Sequence, residues 1–178
     1  MDKNLEPKLE LLEKKLLVSV KTDLKNTYFK KFYNDFFKLP IPKPLKFVFS
    51  ENYMVCWMSY DEILIIADLK LRNDLFKKFD TFNKKDDLLI FDVSDTRSIL
   101  KLTGDNWRNV ISKGCPRDIS KENFRSNSFF RSRLSSISVA FWLNSADSIS
   151  IMCPKSLTEF TFNWITHSKN IDNISNIY

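Results

Sequence analysis

The single histidine of this 178-residue chain, His167, has no second imidazole with which to share a metal or to activate a nucleophile. It falls near the end of the last expected helix, where a surface position is the plain reading. The three cysteines, Cys56, Cys115 and Cys153, are widely separated and form no CxxC pair, which argues against both a disulfide framework and a zinc site. Cys115 is the sharpest candidate nucleophile. It follows Gly114 at an expected helix C-terminus, however, and a reactive thiol needs a cation or a helix N-terminus to lower its pKa. Cys56 and Cys153 sit in apolar, strand-like segments and read as small core residues.

The carboxylate pairs Asp61-Glu62 and Asp86-Asp87 are sequence neighbours of the kind that turns carry, so turn chemistry is favoured over acid–base catalysis. Asp92 differs, because it closes the apolar run Leu88-Leu89-Ile90-Phe91 and must be paired, capped or solvated there. A hydrogen bond to Ser94 or to a following amide is the expectation. Arg131 and Arg133 share a strand parity and project to one side, with Arg125 and Lys121 nearby in sequence. The arginine fork suits bidentate contact with carboxylates, so the pair is a candidate partner interface; a solvated strand face is the alternative.

Whole-chain composition narrows the function classes. Only two glycines, Gly104 and Gly114, are present, which removes the material for a phosphate-binding glycine loop or a dinucleotide fingerprint. A net charge of +6 suits nucleic acid, an anionic membrane or an acidic protein. The lysine doublets Lys14-Lys15, Lys30-Lys31, Lys77-Lys78 and Lys84-Lys85 each stand beside acids or aromatics, as solvated helix faces do. Nucleic-acid binding would want exposed aromatics among the basic residues, whereas these aromatics keep core periodicity. Neither a secretory signal nor an apolar run of bilayer length is visible, so no membrane association and a cytoplasmic location are expected.

The elements that must hold these residues alternate in type. Residues 1–15 mix acids, lysines and leucines and read as an exposed arm or a short frayed helix. Leu16–Val20 has strand composition. A helix follows with Tyr28, Phe32 and Phe36 on one line and Phe29, Tyr33 and Phe37 beside it, ended by Leu39-Pro40-Ile41-Pro42. Strands are expected through 47–49, 54–58 and 63–66. A helix capped by Asp68 then buries Leu71, Leu75, Phe76 and Phe79 and leads to a fully buried strand at Leu88–Phe91. The second half alternates at Leu100 and Leu102. It places a short helix with Trp107, Val110 and Ile111 between Gly104 and Gly114, with Gly114 as its stop. Half-buried strands through Ile137–Trp142 and Ile149–Ile151 follow. Ser156-Leu157-Thr158-Glu159 matches a capping box for a last helix burying Leu157, Phe160 and Trp164. The expected fold is α+β, with antiparallel sheets and helices packed on one side of each. The domain spans 16–167, in halves of about 16–92 and 93–167, followed by a frayed tail over 168–178.

Several segments, read in order, resemble the gamma subunits of heterotetrameric sarcosine oxidase. They are Trp57-Met58-Ser59-Tyr60-Asp61-Glu62-Ile63-Leu64-Ile65, Phe91-Asp92-Val93-Ser94, Leu100-Lys101-Leu102-Thr103-Gly104 and Lys113-Gly114-Cys115-Pro116-Arg117-Asp118-Ile119. Phe124, Arg131-Ser132, Trp142 and the stretch from Lys155-Ser156 to Trp164 continue the match, which runs over roughly residues 40–166. Arg117 and Lys155 depart from that family's pattern, as does the Asn-, Lys- and Phe-rich composition. The resemblance implies two small sheet-and-helix halves like the folate-binding aminomethyltransferase (glycine-cleavage T-protein) domain. It also implies a non-catalytic role beside alpha, beta and delta subunits in oxidative demethylation of sarcosine. FAD, FMN, NAD, zinc and tetrahydrofolate would then belong to those partners, with no cofactor on this chain. An alternative is a free-standing folate-binding protein of the same fold, with Asp92 anchoring the pterin.

Overall fold

The computed structural model describes residues 7–82 and 88–169. The chain divides into two compact units. One is continuous, Lys14–Asp95; the other joins the segment before Lys14 to everything from Thr96 onward.

The continuous unit is a five-stranded antiparallel sheet carrying two helices. Its strands are β2 (Leu16–Lys21), β3 (Phe47–Phe49), β4 (Tyr53–Ser59), β5 (Glu62–Ala67) and β6 (Leu89–Asp92), in the order β3-β4-β5-β2-β6. The helices are α1 (Thr27–Phe37) and α2 (Arg72–Phe82). Strand alternation sends Leu16, Val18, Val20, Val55, Ile63 and Ile65 to the helix side, where they meet Phe29, Tyr33, Phe37, Leu75 and Phe79 in one cluster. Aromatic contacts tie the helices together: Phe32 stacks on Phe82 at 4.4 Å between centroids and meets Phe79 at 5.4 Å. Phe32 and Phe36 are only partly buried and Tyr28 is exposed, so the core-facing stripe of α1 is narrower than the two lines of aromatics suggest.

Local chemistry fixes the ends of α1. Asn26 Oδ1 accepts hydrogen bonds from the Tyr28 and Phe29 amides, and Lys38 ends the helix in the left-handed region with its N–H on Asn34 O. Asp68 acts in the expected place, its carboxylate accepting from the Lys70 amide, but it caps a single 3-10 turn, Leu69–Leu71, that leads into α2. The run Leu88–Phe91 is not a fully buried strand. Leu88 is buried just ahead of β6, while β6 lies at the sheet edge with Leu89 and Phe91 exposed, because an edge strand has a neighbour on one side only.

The discontinuous unit has a second five-stranded antiparallel sheet in the order β1-β7-β10-β9-β8. Its strands are β1 (Lys8–Leu11), β7 (Arg97–Thr103), β8 (Phe129–Leu134), β9 (Ile137–Ser145) and β10 (Ser148–Pro154). Its helices are α3 (Trp107–Ser112) and α4 (Thr158–Ser168). The exposed arm expected over 1–15 is corrected at Lys8–Leu11, which pairs antiparallel with Thr103–Leu100 as an edge strand. Strand pairing there draws on main-chain hydrogen bonds and on Leu9 against the core, so the segment needs little apolar sequence to be recruited. The rest of the arm before Pro7, and the tail from Asn170 on, lie outside the described residues.

Leu100, Leu102, Trp107, Val110, Ile111, Phe130, Val139, Phe141, Ile149 and Ile151 share the core of this unit. Contrary to the half-buried expectation, Val139–Leu143 and Ser148–Cys153 are buried on both sheet faces. The capping box does not form. A 3-10 turn at Lys155–Leu157 precedes α4, and no side chain caps the helix. The phase of α4 also differs: Thr161 and Ile165 are fully buried, Leu157 and Phe160 are exposed, and Trp164 is half-buried. Thr161 fits the interior because its hydroxyl donates to Leu157 O, one turn back at the end of the 3-10 turn.

Both glycines answer steric demands. Gly104 has φ +136°, and a Cβ there would stand 3.0 Å from Pro7 Cα. Gly114 is not a left-handed helix stop. It is a glycine because a Cβ would lie 2.5 Å from the Trp164 ring and 3.0 Å from Ser135 N.

Candidate partner-binding surface

Most of the residues singled out for chemistry are committed to holding the fold. Asp92 ends β6 and accepts at Oδ1 from both the Ser94 amide (2.9 Å) and the Ser94 hydroxyl (2.6 Å). Its Oδ2 lies 2.8 Å from the Arg72 guanidinium at the start of α2. Ser94 Oγ in turn accepts from the Leu17 amide, so the carboxylate, the hydroxyl and the arginine pin β6 and α2 to the first strand of the sheet. With both oxygens engaged, Asp92 is a structural anchor.

Asp61 stands in the β4–β5 turn as expected, Glu62 opens β5, and the two do not converge. Asp61 Oδ1 accepts from Ser59 Oγ, while Glu62 Oε1 accepts from Ser19 Oγ across the sheet. Asp86-Asp87 and Lys84-Lys85 lie outside the described residues. His167 is exposed on the last turn of α4.

The thiols follow the same pattern. Cys56 is fully buried, and loss of solvation pushes its pKa well up. Cys153 is raised mainly by burial, against the lowering effect of hydrogen bonds from Thr161 and Thr158. Cys115 is buried after α3, with Sγ 3.7 Å from Ser132 Oγ. Among the described residues no group of three His, Cys, Asp or Glu side chains is placed to hold a metal ion. No described helix is long and apolar enough to cross a membrane.

Sequence reasoning missed Arg108. It is buried on α3, and its guanidinium donates to Ile119 O and to Phe124 O at 3.2 Å while lying 4.3 Å over the Trp107 ring. It thereby holds the loop between α3 and β8 against the core. Nothing in a lone Trp107-Arg108 pair announces this, because the two carbonyls that recruit the charge come from a loop without periodicity. Asp118 organises the outside of that loop. The Ser120 amide, then the Ser120 and Asn123 side chains, bond its carboxylate and lower its pKa.

Arg131 and Arg133 stand apart. Both are exposed on β8, the edge strand of its sheet, and face the same way opposite Ala140 and Ser138 of β9. Among the described residues, no carboxylate lies within ion-pair distance of either. Arg125 turns elsewhere, its Nε donating to Glu122 O, and Lys121 is exposed in the preceding loop, so the cluster of four suggested by sequence reduces to these two.

An α+β molecule of two antiparallel sheets, each with helices on one face, has the fold of the glycine cleavage system aminomethyltransferase. The glycine cleavage system aminomethyltransferase T of Bartonella henselae matches 96% of this chain and 47% of its own, with a TM-score of 0.64 at 10% identity. A chain of the heterotetrameric sarcosine oxidase from Corynebacterium sp. U-96 matches more fully, over 99% of this chain and 90% of that one, with a TM-score of 0.86 at 20% identity.

Sequence comparison reaches the same relatives. The sarcosine oxidase gamma subunit of Corynebacterium sp. (strain P-1) is 30% identical over 117 residues, 65% of this chain and 56% of that protein. That of Corynebacterium sp. (strain U-96) is 29% identical over 111 residues, 62% of this chain and 53% of that protein. No family model matches the sequence. The chain is therefore similar in sequence to sarcosine oxidase gamma subunits, as the ordered motifs imply, and similar in fold to a chain of a sarcosine oxidase heterotetramer. The matched region spans about half the length of those curated relatives.

Proposed function

We propose that this chain is a non-catalytic, gamma-type subunit of a heterotetrameric sarcosine oxidase, working in the cytoplasm beside alpha, beta and delta subunits. The assembly converts sarcosine, oxygen and tetrahydrofolate to glycine, hydrogen peroxide and methylenetetrahydrofolate. FAD, FMN, NAD, zinc and tetrahydrofolate are held by the partner subunits. The observation that carries this reading is the near-complete superposition on a chain of a sarcosine oxidase heterotetramer, joined to gamma-subunit sequence similarity. Its support within the chain is chemical. Asp92 is bonded on both carboxylate oxygens, and the thiols of Cys56 and Cys153 are buried with raised pKa values. A subunit that supports others keeps such groups for its own fold.

Affinity purification of the full chain, co-expressed with candidate alpha, beta and delta subunits, tests the proposal. Recovery of a stoichiometric, flavin-coloured assembly that releases peroxide on adding sarcosine is the expected result. A colourless, solitary protein overturns it. If that solitary protein binds tetrahydrofolate saturably and loses binding in Asp92→Ala, the folate-binding alternative takes its place.

A further inference from the structure

Lysine outnumbers arginine 21 to 7 in this chain, and the planar arginine fork does work that a lysine ammonium does not. Most of the seven have visible work inside the fold. Arg72 pairs with Asp92, Arg108 bonds two buried carbonyls, Arg117 lies 4.6 Å over the Phe130 ring and Arg125 donates to Glu122 O. Among the described residues, Arg97 stands alone and exposed at the start of β7. Arg131 and Arg133 remain. They share one face of an edge strand, two residues apart, with no carboxylate in reach among the described residues.

The opposite edge of the same sheet sharpens the contrast. On β1 the cation Lys8 is neutralised by Glu10 two residues on, on the same face, and Glu10 is held below the usual carboxylate range by that lysine. Lysines or bulges suffice to discourage unwanted strand pairing at an edge. Two unpaired arginines at alternate positions do more, because each presents a planar fork matched to a carboxylate.

We infer that the β8 edge receives an extended segment of a partner polypeptide carrying acidic residues at alternate positions, which adds a sixth strand and sets its carboxylates opposite Arg131 and Arg133. Main-chain hydrogen bonds from Phe129–Leu134 supply the attachment, and the arginine–carboxylate pairs fix the register. A second copy of this chain is a poor occupant, since β8 against β8 opposes arginine to arginine. The inference rests on the subunit reading and deepens it by naming the partner's chemistry and its docking strand.

The test uses the co-expressed assembly and three forms of the full chain: unaltered, Arg131→Glu/Arg133→Glu, and Arg131→Lys/Arg133→Lys. Dissociation constants by titration, and amide hydrogen exchange of the assembled and separate chain, are the two readouts. The double reversal is expected to weaken assembly on the order of 30-fold or more and the lysine pair several-fold, with thermal midpoints unchanged. Amides of β8 are expected to slow in exchange only on assembly. An unaltered chain that assembles with no partner overturns both the subunit reading and this inference. Normal assembly by the reversed variant, or β8 amides that exchange equally fast when assembled, overturns the inference and leaves the subunit reading standing. Protection of β8 by self-association alone also overturns it.

Discussion

The two units solve one problem, covering a five-stranded sheet, in different ways. Between Lys14 and Asp95 the cover is two eleven-residue helices packed ring against ring, with Phe29, Tyr33, Phe37 and Phe79 almost free of water. In the other unit α3 has six residues, and the remaining cover is α4 and a loop tied down by the buried charge of Arg108. Both designs bury a large apolar core, but the second adds a buried charge whose removal would strand the polar groups it satisfies. Their failures should therefore differ in size and kind.

Phe79→Ala strikes the ring cluster and is expected to cost about 3–5 kcal/mol, read as a lowered urea midpoint. A loss below ~1 kcal/mol would mean that the helices can collapse onto the space. Arg108→Met keeps much of the volume but leaves Ile119 O and Phe124 O without their donor, for a loss of about 2–3 kcal/mol together with faster exchange in 115–128. If the loop stays protected, the clamp is not what holds it. Asn26→Ala removes the cap of α1 and should cost about 1 kcal/mol, whereas Ser156→Ala should change stability by less than ~0.5 kcal/mol because no cap bond exists at α4. Equal effects would erase this part of the contrast.

The smallest effect appears at alkaline pH. Burial raises the Tyr33 phenol above its ordinary value of 10.0, so the folded protein holds that proton longer than the unfolded chain. Its contribution is complete below pH 10 and falls away as pH rises beyond it. Stability measured from pH 9 upward should decline less steeply in Tyr33→Phe than in the unaltered protein.

What is legible in the amino-acid sequence follows the same divide. The aromatic helix, the three strands after it and the role of Asp92 were legible because period and turn chemistry are local properties, and the order of short motifs located the relatives. Recruitment of Lys8–Leu11 was not legible, since its partner lies about ninety residues away and the segment has few apolar residues of its own. The phase of α4 was misread because Thr161 looks polar in sequence but satisfies its hydroxyl on Leu157 O, which lets it face inward while Phe160 faces out. Gly114 had the right position for a helix stop and a different reason for being there. On the candidate surface, parity placed Arg131 and Arg133 together; only strand order shows that they stand on an edge.

The pairing of β1 with β7 also sets a timetable for synthesis. A ribosome delivers Lys8–Leu11 long before it delivers Arg97–Thr103, so this strand must wait while the whole Lys14–Asp95 unit emerges. That unit is uninterrupted and can take shape during the wait. The β1 strand is thus made before the unit that separates it in sequence from its partner, and a protein started at residue 14 would leave the β7 edge bare.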